Sequence, residues 1–293
     1  MSSVLAVDIG GTKLAVGVVS SDGGRIESSA TVPTPRGVDA EALFETLAAL
    51  VAEVRRDVGE LSACGVGCGG PMSAGGEAVS PLNIPAWRDF PRRARLSALT
   101  GLATFVDNDA KALALADGWV GAAAGERNFI AMVVSTGVGG GIMLDGRLLD
   151  GAAGNAGHIG HMIVEPDGRM CACGARGCLE AEASGTSIAA VTGRPPAAAG
   201  AAVVERTGRL VGRAVASVAS LLDLRLAVVA GSVALGFGDR FFAAAQAEVD
   251  RSARLVFSAG TRIVPAGLVA DAPLVGAAAV ALRHLPGHAL SST

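Results

Sequence analysis

The sequence predicts a chain built from two α/β domains. Three observations carry that expectation. Strand-like and helix-like segments alternate along the 293 residues. The order strand, glycine turn, strand occurs near residue 10 and again near residue 137. A loop rich in cysteine interrupts the second copy. Alternation repeated in this way indicates two α/β domains rather than one continuous sheet, and the length suits two domains that each bury a core.

The elements follow in order. Val4 to Asp8 is a short apolar run ending in a carboxylate, with the turn Gly10-Gly11-Thr12 after it. Leu14 to Ser20 continues as strand, and Ser21-Asp22-Gly23-Gly24 turns it into a third strand near Arg25 to Val32. From Ala40 to about Val58 the residues Leu43, Leu47, Leu50, Val51, Val54 and Val58 fall on one helical stripe. Cys64 to Cys68 reads as a buried strand entering a Gly-Pro loop. Thr104 to Val106 is another strand, and Asp107-Asn108-Asp109 opens a helix to about Trp119. In the second copy, Asn128 to Ser135 is a strand, Thr136 to Gly140 a glycine turn, Gly141 to Leu144 a returning strand, and Asp145-Gly146 a hairpin into Arg147 to Leu149. A helix near Gly208 to Leu222, a strand from Leu226 to Ala230, a helix near Arg240 to Arg254 and an Ala-rich terminal helix complete the chain. The expected division is a small domain of 1–107 plus about 275–293, and a large domain of 108–274 carrying the cysteine loop 161–180.

Composition narrows the function. A formal charge of −3 with no run of Lys or Arg argues against a nucleic-acid surface. No stretch reaches the ~18 uninterrupted apolar residues of a membrane helix, since Pro273 and Gly276 break the longest. Met1-Ser2-Ser3 leads straight into a strand, without a signal-peptide pattern. Clustered thiols in a metal-type spacing fit the cytosol better than a disulfide framework. The expectation is a cytoplasmic protein without nucleic-acid or membrane partners.

His161, Cys171, Cys173 and Cys178 supply one imidazole and three thiolates, with Gly168, Gly174 and Gly177 permitting sharp turns. That is the donor set of a closed tetrahedral Zn²⁺ site with no position left for a reacting water. The alternatives are a redox Cys-x-Cys pair or plain buried thiols. The glycine turns bring backbone N–H groups close to an anion because no Cβ intervenes. Facing turns could hold a nucleotide's phosphates, although tight hairpins need glycine too. A Walker string is absent, and a dinucleotide fingerprint must open a helix, whereas both turns lead into strands. Asp8 is placed to orient hydrated Mg²⁺ or to cap its turn. Lys13 could meet phosphate or remain a solvated hairpin residue.

Asp8-Ile9-Gly10-Gly11-Thr12-Lys13, Ser135-Thr136-Gly137-Val138-Gly139-Gly140-Gly141 and the His-Cys-x-Cys loop together resemble the ROK family, over Val4 to at least Gly238. That family holds bacterial sugar kinases and related repressors of the actin-like ATPase superfamily. The resemblance implies two actin-like (ribonuclease H-like) α/β domains around a central cleft, ATP bound mainly against the larger one, and sugar between them. It implies that Asp8, Gly10, Gly11, Thr12, Lys13, Thr136, Gly137 and Gly139 serve the nucleotide and Mg²⁺, and that Gly231 and Ser232 lie by its adenosine. It also implies a homodimer or homotetramer.

Phosphoryl transfer needs positioning, charge neutralisation and a base for the hydroxyl proton. By position alone Asp109 is either that base or a helix N-cap; the resemblance at Val106-Asp107-Asn108-Asp109-Ala110 makes it the base. Asn108, with an acceptor and a donor pair, suits vicinal sugar hydroxyls. In the family the residue matching Glu180 binds sugar, and that matching His161 both ligates zinc and reaches the sugar. Gly67-Cys68-Gly69-Gly70-Pro71 and Leu82-Asn83-Ile84-Pro85 resemble loops beside the sugar, giving Gly70 and Asn83 as further candidates, although Asn83 could only fix its own turn. One departure stands out: most glucose-specific relatives have Glu where this chain has His158. Bacterial N-acetylmannosamine kinases resemble it in having His, and an imidazole tolerates a 2-acetamido group where an ionised Glu prefers a free hydroxyl. The expected activity is an ATP-dependent hexose 6-kinase leaning to N-acetylmannosamine. The alternatives are a glucokinase with an atypical His158 and a sugar-responsive regulator. The family's repressors carry a preceding helix-turn-helix domain, for which a strand starting at Val4 leaves no room.

Overall fold

The computed structural model describes residues 2–286 except 23, 80–83 and 269. In chain order its elements are β1 (Ser3–Ile9), β2 (Lys13–Ser20), β3 (Ile26–Pro33), α1 (Ala40–Arg55), β4 (Leu61–Cys68), α2 (Arg92–Thr100), β5 (Thr104–Asn108) and α3 (Asp109–Val120). Then come β6 (Phe129–Val134), β7 (Val138–Leu144), β8 (Arg147–Leu148), α4 (Leu179–Ala183), α5 (Gly185–Thr192), α6 (Ala201–Leu222), β9 (Leu226–Ala230), α7 (Ser232–Ser252), β10 (Arg262–Pro265) and α8 (Ala272–Leu282).

The chain divides into two units. The first holds Met1–Val120, Asp150–Ala156 and Leu268–Thr293; the second holds Gly121–Leu149 and Gly157–Gly267. Each has one five-stranded sheet, ordered β3-β2-β1-β4-β5 in the first and β8-β7-β6-β9-β10 in the second. Both run as an antiparallel three-strand meander extended by two parallel strands. The repeat read near residues 10 and 137 is therefore the first hairpin of two sheets with the same strand order.

In the first unit, side-chain alternation along β1 feeds two cores. Leu5, Val7 and Ile9 join Leu43, Leu47, Leu50 and Val51 of α1. Val4 and Ala6 join Leu274, Ala277, Ala278 and Ala281 of α8. Both faces of β1 are covered, which is why it reads as a continuous apolar run. Helix α1 starts where Asp39 Oδ1 accepts the Ala42 N–H at 2.8 Å, a standard N-cap. It ends at Arg55, short of the expected Val58. The Ala-rich α8 lies close to its neighbours because they meet it with small residues. A Cβ at Gly65 of β4 would stand 1.9 Å from the Ala277 carbonyl oxygen.

Several boundaries differ from expectation. The first unit extends to residue 120 rather than 107, because α3 packs on α8: a Cβ at Gly276 would lie 2.6 Å from the Ala112 carbonyl oxygen. Its C-terminal return begins at 268 rather than about 275, and residues 150–156 also belong to it. The glycine turn of the second unit shrinks to residues 135–137, since Val138 to Gly140 already pair with β6. Helix α6 starts at Ala201 and α7 at Ser232, both well before their expected starts.

Candidate functional site

In the first unit the β1–β2 turn is closed by the Gly10 N–H on the Lys13 carbonyl at 3.0 Å. Thr34 pins it from β3's end, its hydroxyl donating to the Gly10 carbonyl at 2.6 Å and its N–H to Thr12 O at 3.0 Å. Gly11 and Thr12 form the tip. Asp8, at the carboxyl end of β1, is 8% exposed. Burial foremost, then the Asp109 carboxylate, push its pKa up from 3.8 to about 7, against the smaller opposing effect of Lys13. The register Asp8↔Gly67 and Gly67↔Asp107 sets β1, β4 and β5 side by side, so Asp8 and Asp109 flank the same glycine. A Cβ on Gly67 would be 3.8 Å from Asp8 Oδ1 and 3.9 Å from the Asp109 Cα.

Asn108 and Asp109 both cap α3. Asp109 Oδ1 accepts the Ala110 N–H at 2.8 Å and Asn108 Oδ1 accepts it at 3.0 Å. The cap and the reactive-group readings of Asp109 are thus compatible: a cap bond uses lone pairs on one oxygen and leaves the carboxylate charge in place. Gly70 adjoins Asn108, since a Cβ there would meet Asn108 Nδ2 at 3.4 Å. Asn83 lies outside the described residues.

In the second unit, β6, β7 and the cysteine loop converge. Glu180, in the first turn of α4, accepts the Val138 N–H on Oε2 at 2.9 Å, and a Cβ on Gly137 would stand 2.7 Å from the same oxygen. Glu180 therefore braces the β6–β7 turn, a contact that its position in the sequence does not announce. Thr136 accepts from the Thr186 hydroxyl at 2.9 Å, and Ser135 O from Gly185 N–H at 2.7 Å. Gly139 follows on β7. Ser135 Oγ and Ser232 Oγ are 2.9 Å apart, which sets Gly231 and Ser232 beside this turn. Gly231 has φ +101° and a Cβ there would be 2.3 Å from the Val134 carbonyl, so only glycine fits.

His161, Cys171, Cys173 and Cys178 present ligand atoms within 4.8 Å of one another. Cys171 Sγ is 3.7 Å from His161 Nδ1, and Cys173 Sγ is 3.7 Å from Cys178 Sγ. With Zn–S near 2.3 Å, a tetrahedral edge is about 3.8 Å, so the cluster has the size of a zinc site. Burial first, then hydrogen bonding and charge from Cys173 and Cys171, push the Cys178 thiol up to about 12. Three thiolates coexist at this spacing only around a cation. The loop is fastened to α4: Leu179 N–H donates to Met162 O at 2.8 Å, and buried Glu182 takes the Arg169 N–H at 2.6 Å and Arg206 Nη2 at 2.6 Å. His158 begins the short turn Ile159–His161, its ring centroid 6.1 Å from that of His161.

Residues that the sequence reading missed include Glu182 and the buried Lys111, which meets Asp107 at 3.2 Å and Asp150 at 2.6 Å. The Asp107–Lys111 spacing is a visible helical-type i,i+4 pair. Asp150, far along the chain, carries no local signal. Among the described residues no helix is long and apolar enough to cross a membrane.

Two sheets of one strand order, each opening on a glycine hairpin, with paired acids in one unit and a Cys₃His cluster in the other, define an actin-like α/β protein of the sugar-kinase type of architecture. The model of the ROK family matches residues 4–284, and the chain belongs to that family. It is similar to an N-acetylmannosamine kinase of Citrobacter koseri, 39% identical over 253 residues, or 80% of this chain and 85% of that one. The ROK hexokinase from Thermus thermophilus is 36% identical with TM-score 0.83, covering 95% of this chain and 97% of its own. A ROK family glucokinase from Streptomyces griseus, solved with glucose and AMPPNP, is 30% identical with TM-score 0.79, covering 94% and 98%.

Proposed function

We propose that this protein is an ATP-dependent hexose kinase that phosphorylates the 6-hydroxyl of a hexose or N-acyl hexosamine, with N-acetylmannosamine as the favoured acceptor. The observation that carries the reading is the pair Asp8 and Asp109, two carboxylates flanking Gly67 at the ends of β1 and β5. A buried carboxylate at Asp8 beside the exposed, like-charged Asp109 suits a divalent cation at the first and a transferable proton on the second. The family, and the kinases among the relatives, support the same assignment.

Asp109 accepts the proton of the C6 hydroxyl, whose oxygen forms the new bond to the γ-phosphorus as the bond to the departing ADP breaks. Asn108 and Gly70 hold sugar hydroxyls beside it. Asp8 would hold hydrated Mg²⁺, Lys13 and the turn at Gly10, Gly11 and Thr12 serve the phosphates, and Thr136, Gly137 and Gly139 are further nucleotide-binding residues. Gly231 and Ser232 lie by the adenosine. When bound, Mg²⁺ supplies neutralisation of charge building on the transferring group. Glu180, His158 and His161 are further sugar-binding residues, as is Asn83. Structural Zn²⁺ on His161, Cys171, Cys173 and Cys178 would engage the imidazole through Nδ1, the atom nearest Cys171, leaving Nε2–H as a donor. His158, in place of a carboxylate, favours the 2-acetamido sugar because it offers a neutral donor and acceptor.

A coupled kinase assay against glucose, mannose, N-acetylmannosamine and N-acetylglucosamine tests the reading. The highest kcat/KM is expected for N-acetylmannosamine, and no turnover with any of the four would overturn it. The second reading, a glucokinase, is favoured by the Streptomyces griseus relative. His158→Glu decides between them: the ratio of kcat/KM for N-acetylmannosamine over glucose should fall at least about tenfold, or 1.4 kcal/mol. An unchanged ratio would leave His158 without a role in reading the sugar.

A further inference from the structure

Lys111 lies two residues beyond Asp109 in the first turn of α3 and is 2% exposed. Its ammonium reaches Asp150 Oδ1 at 2.6 Å, the Gly154 carbonyl at 3.1 Å and Asp107 Oδ1 at 3.2 Å. An ammonium has three N–H donors, so these acceptors use all of them. Arg283, just past α8, holds Asp107 Oδ2 at 2.9 Å and comes within 3.7 Å of Asp150 Oδ1. Two cations and two carboxylates thus close a neutral network. Burial works against ionising Asp150, yet the Lys111 bond and the Arg283 charge hold its carboxyl below the ordinary value.

The network ends on the proposed reacting residues. Asp107 Oδ1, the oxygen that Lys111 approaches, also accepts the Asn108 N–H at 2.8 Å. Asn108 Oδ1 in turn shares the Ala110 N–H with Asp109 Oδ1. The same ammonium fastens segment 150–156 within the first unit, a segment that immediately precedes Gly157 and His158 in the chain. With its donors spent, Lys111 has none for a phosphate or a sugar. It acts through Asp107.

We propose that Lys111 is a positioning residue for phosphoryl transfer: with Asp107, Asp150 and Arg283 it sets the backbone that aims Asn108 and Asp109 and pins segment 150–156 against α3. The proposal rests on reading Asp109 as the base. Small misplacements of a reacting group cost rate far more than they cost binding, on the order of 10²-fold for 1 Å.

Lys111→Met keeps the length of the side chain and removes the charge. Its kcat for the preferred sugar should fall at least about tenfold while the KM for ATP stays within about threefold. Amide hydrogen exchange in 150–156 should quicken at least about tenfold while exchange in α1 does not. Val54→Ala, a cavity in the α1 core, supplies a destabilised control whose kcat at 25 °C should match wild type. If Lys111→Met kept kcat within about threefold and differed from wild type only in melting, as that control does, the proposal would be overturned. Should Lys111→Met fail to fold, Asp150→Asn, at the half-exposed end of the network, replaces it: a drop in kcat with faster exchange in 150–156 supports the assignment, and wild-type values of both refute it. Absence of sugar phosphorylation by the wild-type protein would count against the proposed function. Exchange in 150–156 then tests the pin without any need for turnover.

Discussion

Asp8 and Asp109 divide the chemistry at the residue scale. Asp109→Asn keeps the size and the carbonyl acceptor that caps α3 but cannot take a proton. Turnover should fall by ~10²–10⁴-fold, with the sugar dissociation constant, followed by tryptophan fluorescence, changed by less than about threefold. Retained turnover would reduce Asp109 to its cap bonds with Ala110. Asp8 gives a prediction in pH. Its carboxyl is raised from 3.8 to about 7, mainly by burial and then by Asp109, so the folded state holds a proton that the unfolded state has released. Its contribution to stability is full below about pH 4, declines as pH rises to about 7, and is flat above. In buffer without divalent cations, Asp8→Asn should therefore melt above wild type at pH 8, with the gap shrinking toward pH 5, as scanning fluorimetry would show. A gap that grew toward acid would contradict the buried, like-charged setting. At this scale the four cluster residues are named by residue type and spacing, and their ligand atoms lie within 4.8 Å of one another; Asp8 was open between two roles, and Asn108 and Asp109 took theirs from the family resemblance. The bracing of Glu180 on Val138 and the ring of charges around Lys111 were not legible, because their partners stand about 40 residues away in the chain.

Among the elements, the cysteine loop and α8 carry the predictions. The loop joins α4 through Leu179 and Glu182, and α4 carries Glu180 to the β6–β7 turn. Its apolar residues are partly wasted on solvent, with Ile163 and Met170 mostly exposed, so bonds to a metal would supply much of its order. Metal analysis of reduced, freshly purified protein should give one zinc per chain; less than half an equivalent would sink the assignment. The double variant Cys171→Ala/Cys173→Ala should raise the sugar KM strongly, as the loop and Glu180 lose their fixed geometry. Helix α8 tests packing. Gly65→Ala puts a methyl group 1.9 Å from the Ala277 carbonyl oxygen, and neither the strand nor the helix backbone can yield cheaply. Overpacking of this kind costs about 1–3 kcal/mol or more, so the first unit should lose at least about 2 kcal/mol in urea unfolding. Periodicity found α1 because one face of it is buried, while β1 and β9 stood out as apolar runs because both of their faces are buried. It placed α6 and α7 too late, since their opening turns are rich in Ala and Gly and carry little amphipathic signal.

For the whole molecule, two sheets of one strand order arise from one chain, and the chain enters the first unit three times. Deleting 268–293 removes α8, whose Leu274, Ala277, Ala278 and Ala281 cover the Val4 and Ala6 face of β1. That apolar face would then meet water. Calorimetry of the truncated chain should show the first unit's transition lost and that of the second retained. The sequence by itself determined the α/β class, the repeated strand–glycine–strand hairpin, the Cys₃His donor set and the acids at the ends of β1 and β5. Those are local matters: apolar period, turn chemistry and ligand spacing are written within a few residues of one another. Only the tertiary structure decided that α3, α8 and residues 150–156 belong to the first unit, and that Lys111 is buried among Asp107, Asp150 and Gly154. Which distant backbone a glycine admits, and which far carboxylate neutralises a buried cation, depends on how the finished sheets and helices pack. No window of neighbouring residues contains that information.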